Sequence, residues 1–311
     1  MKIIFFGTGR FGIPSLNALK KSKHSLELVV TSPDKPKGRD LRVQGSPVKD
    51  WALENQAPLQ QFSSLKTSEA LETLRRVQAD VFVVIAYGFL LPKTLLDLPK
   101  IAPLNVHSSL LPHYRGSAPI HWAMLNGDAQ TGVTIMRMAE TLDTGDILKQ
   151  KRINISNEDS FNSLEEKLAL LGAEALLEAL TVLEEGKAKW LAQDPAQATL
   201  ARKITKEDGK IIWNEPAGKI QRQIQALSAW PKASTVYQGK RLILLEAESM
   251  SGNPAKAKPG TVLFADASWG LVIACGQNVL KVHKIQAEGK KPLATQEFLK
   301  GFPISPGASF E

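Results

Sequence analysis

The sequence predicts an α/β chain in which a doubly wound, mostly parallel sheet precedes a small β-barrel. Three observations predict it. Continuous apolar runs of strand length, Ile3–Phe6, Leu26–Val30 and Val81–Ile85, alternate with helix-patterned stretches, as they do where crossover helices cover both faces of a parallel sheet. The first run ends in a glycine turn that opens a helix, Gly7-Thr8-Gly9-Arg10-Phe11-Gly12. Beyond Ser234, short strand-like runs follow one another between Gly and Asn turns with only one helical stretch before them. The first part is therefore Rossmann-like and the second OB-like.

Each element has its own local reason. Phe11 to Leu19 has helical spacing after the glycine turn, and Glu69 to Val77 repeats it between the second and third strands. Val133 to Met136 reads as a further strand. Ser163-Leu164-Glu165-Glu166 has the form of a helix-start capping box. Leu164, Leu168, Leu171, Ala175 and Leu180 then line one face of a long helix that Gly186 ends. From Gln193 to Lys206 the pattern dissolves into Ala, Gln, Asp, Pro and Lys. This places a linker at 190–205 between a first domain, 1–189, and a second, 206–311. Ala217 to Leu227 is the helix of the second domain, and Ser234–Tyr237, Leu242–Leu245, Gly260–Phe264, Leu271–Ala274 and Val279–Ile285 are its strands.

Composition narrows the function classes. A chain of 311 residues, 43% of them hydrophobic, buries a large core without disulfides or metal. Cys275 is the single cysteine, so it has no internal partner for a disulfide or a thiolate zinc site, and no metal is expected. The apolar start of the chain is too short for a signal-peptide core, and no segment is long enough to span a bilayer. A cytoplasmic protein with no membrane partner is expected, working as a monomer. The net charge is +8. Residues from Lys206 onward carry fourteen Lys/Arg against nine Asp/Glu, so five of those eight charges belong to the smaller domain, an excess that suits an anionic partner such as RNA.

The glycine turn matches the G-x-G-x-x-G pattern of dinucleotide sites, with Asp34 after the next strand where a ribose-binding acid would stand. Two features weigh against that reading. Asp34 lies in Ser32-Pro33-Asp34-Lys35-Pro36-Lys37-Gly38-Arg39, a solvated basic loop, and a tight strand-to-helix turn needs glycines whatever it binds. The second feature is a different chemistry further on, with no use for hydride.

That chemistry lies between Asn105 and Asp146. Asn105 and His107 stand two apart on an extended stretch, so both side chains project to one side. An amide and an imidazolium can both donate to one oxygen, and such donors gain strength as charge develops on it. A neighbouring carboxylate favours the cationic imidazole and can help move a proton. Asp143, in the turn Asp143-Thr144-Gly145, is the candidate, while Asp146 reads as a capping or turn residue. Together these groups suit acyl transfer to a nitrogen nucleophile without a covalent enzyme intermediate.

The residues around them carry a resemblance. Asn105 to Ile120, Gly132-Val133-Thr134-Ile135-Met136 and Leu142-Asp143-Thr144-Gly145-Asp146 resemble the 10-formyltetrahydrofolate-dependent formyltransferases, most closely those that formylate methionyl initiator tRNA. Ala86 to Pro92, the loop Asp34 to Arg39 with Ser46 to Lys49, and Ala229-Trp230-Pro231 look like the same group. Three positions depart from its common pattern: His113 stands where Arg is usual, Thr141 where Gly is, and Ala229 where Pro is.

The resemblance implies that Asn105, His107 and Asp143 are the catalytic trio. It implies that Ser109, Leu110, Leu111 and Pro112 form a folate-binding loop, with Tyr87, Gly88, Phe89 and Leu90 beside the pterin. Flat heterocycles suit such an apolar slot. The co-substrate would be 10-formyltetrahydrofolate and the acceptor methionyl initiator tRNA, held by Lys35, Lys37, Arg39, Arg42 and Lys49 through its phosphates. A glycinamide-ribonucleotide formyltransferase would share the trio but end near Trp190. A nucleotide-amino-sugar formyltransferase could carry a comparable second domain. From other classes, an NAD(P)-dependent reductase and a non-catalytic RNA-binding protein also stay open.

Overall fold

A computed structural model describes residues 1–37, 42–252, 257–266 and 269–311. The chain divides into two compact units. The first comprises Met1–Pro119, Gln130–Asn154 and Glu165–Ala201, and the second Ile120–Ala129, Ile155–Leu164 and Arg202–Glu311.

In the first unit the elements run β1 (Lys2–Gly7), α1 (Ile13–Lys21), β2 (Ser25–Thr31), β3 (Lys35–Lys37), β4 (Arg42–Gln44), α2 (Pro47–Glu54), β5 (Leu59–Gln61), α3 (Ser68–Arg76), β6 (Val81–Ile85), α4 (Lys93–Leu96), β7 (Ala102–His107) and β8 (Arg115–Gly116). Beyond helix α5 (Pro119–Asn126), which the second unit holds from Ile120, come β9 (Gln130–Arg137) and β10 (Ile147–Asn154). The long α6 (Phe161–Glu184), which joins this unit from Glu165, leads to β11 (Leu200–Ala201). Among the described residues, seven strands pair in the order β10-β9-β7-β6-β1-β2-β5. The pairs from β7 to β5 are parallel, while β9 runs antiparallel to both β7 and β10. The expected mostly parallel, doubly wound sheet is thus present, with an antiparallel edge.

Strands β1 and β6 are buried because both their faces are apolar: Ile3, Ile4, Phe5, Phe6, Val81, Val83 and Ile85 are inaccessible. One face packs Ile4, Phe6, Phe82 and Val84 against Leu74 and Leu95 from α3 and α4. The edge strand β10, Ile-Leu-Lys-Gln-Lys-Arg-Ile-Asn, lacks such an apolar run, which is why sequence patterning does not reveal it. Its lysines cover the edge instead. Lys149 reaches Glu178, and Lys151 reaches Glu174 and Glu178 on α6.

Helix α6 starts at Phe161, earlier than the box expected at Ser163. Ser160 is the cap: its Oγ accepts from the Ser163 amide at 3.3 Å, and Ser163 Oγ accepts from the Ser160 amide at 3.0 Å. A serine performs the return half of the box that the glutamate after it was expected to supply. The stretch 190–205, expected as a linker, pairs with the first unit along much of its length, through Leu191 with Ile147 and through β11 with β8.

In the second unit α7 (Ala217–Ala226), β12 (Ala233–Tyr237), β13 (Lys240–Met250), β14 (Val262–Asp266), β15 (Gly270–Ala274), β16 (Val279–Ala287), β17 (Leu293–Ala294) and α8 (Thr295–Gly301) follow in order. The sheet is antiparallel in the order β12-β13-β16-β15-β14, with β17 on β16. Its two outer strands are bridged by the end of the chain. Ala308 O accepts from the Val262 amide at 2.8 Å, and the Glu311 amide donates to Val236 O at 2.9 Å. Ile220 and Ile224 of α7 join Leu242, Leu271, Ile273 and Leu280 in the core. Cys275 lies in this core, where burial pushes its thiol up to about 12 and leaves it unreactive at neutral pH.

Candidate functional site

The parallel strands of the first unit deliver their following loops to one edge of the sheet. β1 pairs β2 on one side and β6 on the other, so the order of connection reverses there. Doubly wound sheets form their ligand crevice at such a point, outside the carboxyl ends of the strands. Three loops leave β1, β6 and β7 at this edge: Gly7–Gly12, Ala86–Leu91 and Ser108–Tyr114. Thr8 Oγ1 donates to Tyr87 O at 3.0 Å, which ties the first loop to the second.

Two of the three glycines of the first loop, Gly7 and Gly12, are explained by packing. A Cβ on Gly7 would meet the Phe5 ring at 2.5 Å and Ile85 O at 3.0 Å, and one on Gly12 would meet the Phe5 ring at 2.9 Å. Gly9 has no such neighbour. Asp34, the would-be ribose ligand, is engaged instead by Lys49 Nζ at 2.5 Å and by Gln61 Nε2 at 2.9 Å. The cationic and amide donors hold its carboxyl below the usual range. Both features of the dinucleotide pattern thus have local structural uses.

Asn105 and His107 lie at the end of β7, where their partners across β9 are Met136 and Thr134. Strand alternation puts both side chains on the face opposite Val106, whose side chain meets Gly172 of α6. Asn105 Oδ1 is buried without a hydrogen-bond partner, an arrangement that costs about 1–3 kcal/mol unless a ligand relieves it. His107 and Asp143 are nearly buried, at 7% and 8% exposure. His107 Nε2 lies 2.9 Å from Tyr114 O, a bond in which the ring nitrogen donates. Nδ1 therefore faces the other way, 3.7 Å from Asp143 Oδ2. That carboxylate oxygen also accepts from the Gly116 amide at 2.8 Å. The arrangement brings the predicted trio's histidine and aspartate together, with Asn105 one alternation away on the same strand.

The loop Ser109–Pro112 is held from beneath by residues that motif reading does not single out. Thr134 Oγ1 donates to Ser109 O at 2.7 Å and accepts from the Leu111 amide at 3.1 Å. Gln150 Nε2 donates to Leu111 O at 2.8 Å and lies 3.0 Å from Thr134 Oγ1. Ser109 is itself inaccessible, and its hydroxyl donates to His113 O at 2.6 Å. Leu111 packs on Met136 and Ile147. Ser109 and Leu111 thus build the loop, while Leu110 and Pro112 are partly open. In the neighbouring loop Tyr87 is buried against Phe6 and Phe89, and burial pushes its hydroxyl up to about 12. Tyr87 Oη is buried without a partner, Gly88 has a positive φ, and Leu90 is 71% exposed.

The basic residues distribute differently. Lys35 and Lys37 lie on β3 and Arg42 on β4, which pair as a two-stranded antiparallel hairpin. Arg39 lies outside the described residues, as do the side chains of Lys35, Lys37 and Arg42. Lys49, in the first turn of α2, is occupied by Asp34. Asp146 is a backbone partner of the Arg137 amide, 2.9 Å away. No group of His, Cys, Asp and Glu among the described residues has the arrangement of a metal site, and no described helix is long and apolar enough to cross a membrane.

Known proteins resemble the chain along its whole length. Residues 1–180 match the model of the formyl transferase family, and residues 203–303 that of its C-terminal domain. The chain is 39% identical over 312 residues to a methionyl-tRNA formyltransferase of Sulfurihydrogenibium, covering 100% of both chains. It is 43% identical to one of Caldanaerobacter subterraneus, covering 99% of both. Among solved structures, HypX of Aquifex aeolicus in complex with tetrahydrofolic acid is similar with a TM-score of 0.66 and 19% identity, over 97% of this chain and 47% of that one. At that identity the last likeness concerns the fold.

Proposed function

The chain belongs to the formyl transferase family, and we propose that it acts as the methionyl-tRNA formyltransferases in that family do. It is an enzyme that transfers the formyl group of 10-formyltetrahydrofolate to the α-amine of methionyl initiator tRNA. The products are N-formylmethionyl-tRNA, for the initiation of translation, and tetrahydrofolate. The acceptor is chosen by a likeness to tRNA-specific relatives that runs through both units. Translation places this activity in the cytoplasm.

The observation that carries the acyl-transfer chemistry is the buried, unpartnered Asn105 Oδ1 on the same strand face as a His107 whose Nε2 is already committed to Tyr114. When bound, the folate supplies an activated formyl carbon. The open apolar positions at Leu90, Leu110 and Pro112 fit its flat ring, and the unpartnered Tyr87 hydroxyl gives that neighbourhood a buried polar contact.

Asn105 Nδ2 and the cationic His107 Nδ1 donate to the formyl oxygen, where negative charge grows as the amine adds. Asn105 Oδ1 accepts a hydrogen from the bound substrates. The bond to Tyr114 O fixes the ring so that Nδ1, and not Nε2, serves the reaction. Asp143 Oδ2, 3.7 Å from the same nitrogen, takes up the proton that the amine loses. The bond between the formyl carbon and the folate nitrogen breaks as that nitrogen gains a proton and leaves as tetrahydrofolate. No covalent bond to the enzyme is required.

Lys35, Lys37, Arg39 and Arg42 neutralise phosphates of the tRNA acceptor end, a reading supported by the pairing of Lys35 and Lys37 on β3 with β4, which carries Arg42. Lys49 anchors the base of that hairpin through Asp34. The second unit, with its excess of basic residues, takes the neighbouring stem through phosphates.

One assay tests the reading. Purified protein with 10-formyltetrahydrofolate is offered methionyl initiator tRNA, uncharged tRNA, a glycinamide ribonucleotide and a nucleotide amino sugar. Formyl transfer to the charged tRNA alone is expected. Transfer to the amino sugar with none to the charged tRNA would replace this reading with the sugar-modifying one.

A further inference from the structure

We infer that Gln193 is a positioning residue for the reaction, locking the loop that carries Asp143 to the loop that carries the carbonyl partner of His107. The inference rests on the formyl-transfer reading above, because it concerns the geometry of the groups proposed to act there.

Gln193 stands in the stretch after α6 where the chain has little side-chain pattern, yet all four of its side-chain bonds go to the site. Its Nε2 donates to Asp143 O at 2.9 Å and to Gly145 O at 2.7 Å. Its Oε1 accepts from Arg115 Nε at 3.1 Å and Nη2 at 2.8 Å. Arg115 sits between Tyr114, whose carbonyl takes the His107 Nε2 hydrogen, and Gly116, whose amide donates to Asp143 Oδ2. One amide thereby satisfies both its donors and both acceptor positions, and it closes a ring of contacts around the His107–Asp143 pair.

The lock has something to hold. Asp143 has a φ of 54°, a left-handed backbone that Asp tolerates better than most residues but that still competes with the ordinary extended and helical regions. The bonds from Gln193 to the carbonyls of Asp143 and Gly145 flank this residue and oppose relaxation to an ordinary φ. Relaxation would turn the carboxylate away from His107 Nδ1, from which it is already 3.7 Å away. A shift of about 1 Å in such a group can cost about a hundredfold in rate. Every side-chain bond of Gln193 goes to Arg115 or to the Asp143–Gly145 turn, so its effect is read through the placement of Asp143.

The test is a double-mutant cycle on the full chain, with kcat and KM measured for both substrates. In Gln193→Ala, kcat should fall by about ten- to a hundredfold, with each KM within about threefold of the wild type. In an Asp143→Ala background the same substitution should change kcat by less than about twofold, because the group it positions is gone. Gln193→Glu keeps the Arg115 fork as an ion pair but cannot donate to either carbonyl. It should keep the folded state, checked by thermal unfolding, and still lose kcat. Equal losses from Gln193→Ala in both backgrounds would overturn the inference, as would full activity of folded Gln193→Glu. Wild-type protein that fails to formylate charged tRNA, or an active Asp143→Ala, would instead defeat the underlying functional reading.

Discussion

The turn Gly7–Gly12 and the segment Asn105–Asp146 both meet the carboxyl edge of the central sheet, and they use it in opposite ways. The glycine turn has the more familiar pattern, but Gly7 and Gly12 are accounted for by the Phe5 ring and the Ile85 carbonyl. Its polar follower, Asp34, is satisfied by Lys49 and Gln61. In the second segment Asn105 Oδ1 is buried with no partner, and His107 and Asp143 face one another across a gap too long for a hydrogen bond. Polar groups that a fold buries and leaves unsatisfied are costly. In this edge of the sheet the unpartnered Asn105 oxygen, and not the more familiar motif, marks the group that a ligand would satisfy.

Several substitutions would break or sharpen this contrast. The largest effect is expected in the polar segment, where Asn105→Ala or His107→Ala should lower kcat by about a hundred- to a thousandfold, about 3–4 kcal/mol of transition-state stabilisation. Steady-state formylation of charged tRNA checks this, and near-normal turnover by either folded variant would remove it from the trio. Thr134→Val should come next, since it strips the bonds to Ser109 O, the Leu111 amide and Gln150. A cost of about 2 kcal/mol in unfolding free energy is expected, together with a raised KM for the folate. An unchanged KM would mean that the loop keeps its form without this support.

In the glycine turn the damage should be to stability alone. Gly7→Ala forces the Phe5 ring or the Ile85 carbonyl to move and should cost about 1–3 kcal/mol, read by denaturant unfolding. Gly9→Ala should be near neutral, within about 0.5 kcal/mol, because its backbone is extended and the nearest atom, Ala86 Cβ, is 3.9 Å from the added carbon. A Gly9→Ala protein that folds normally yet loses measurable NADH binding would reverse the whole contrast.

A last effect, on pH dependence rather than on activity, concerns a second histidine of the same segment. His121 stacks on Phe161 with ring centroids 4.0 Å apart, and burial lowers its pKa from 6.5 to about 4. The folded form therefore resists a proton that the unfolded chain accepts below about pH 6.5. Stability from this group is complete above pH 6.5 and declines as the pH falls toward 4. His121→Phe should flatten that part of the curve of unfolding free energy against pH while keeping the stacking. Superimposable curves for the two proteins would show that His121 does not set the acid sensitivity.

Much of this was legible in the chain because the signals are local. Strands β1, β2 and β6 are apolar on both faces, and α6 repeats its apolar residues at helical spacing, so their periodicities alone declare them. Asn105 and His107 are brought to one face by strand alternation, which two residues of spacing suffice to state. Strand β10 was not legible, because an edge strand protected by lysines has no apolar alternation to read. The cap at Ser160 was displaced from Ser163 because two serines can exchange the bonds usually shared with a glutamate.

Residue order alone determined the α/β class, the β-rich second part and the side of β7 on which the amide and imidazole stand, because each depends on periods of two or 3.6 residues. Tertiary structure alone decided which nitrogen of His107 is committed, and that Thr134, Gln150, Arg115 and Gln193 hold the site. Those residues act over separations of up to 78 positions, through single hydrogen bonds a few ångströms long. No local pattern encodes such a bond, since it exists only after the sheet and its loops have closed.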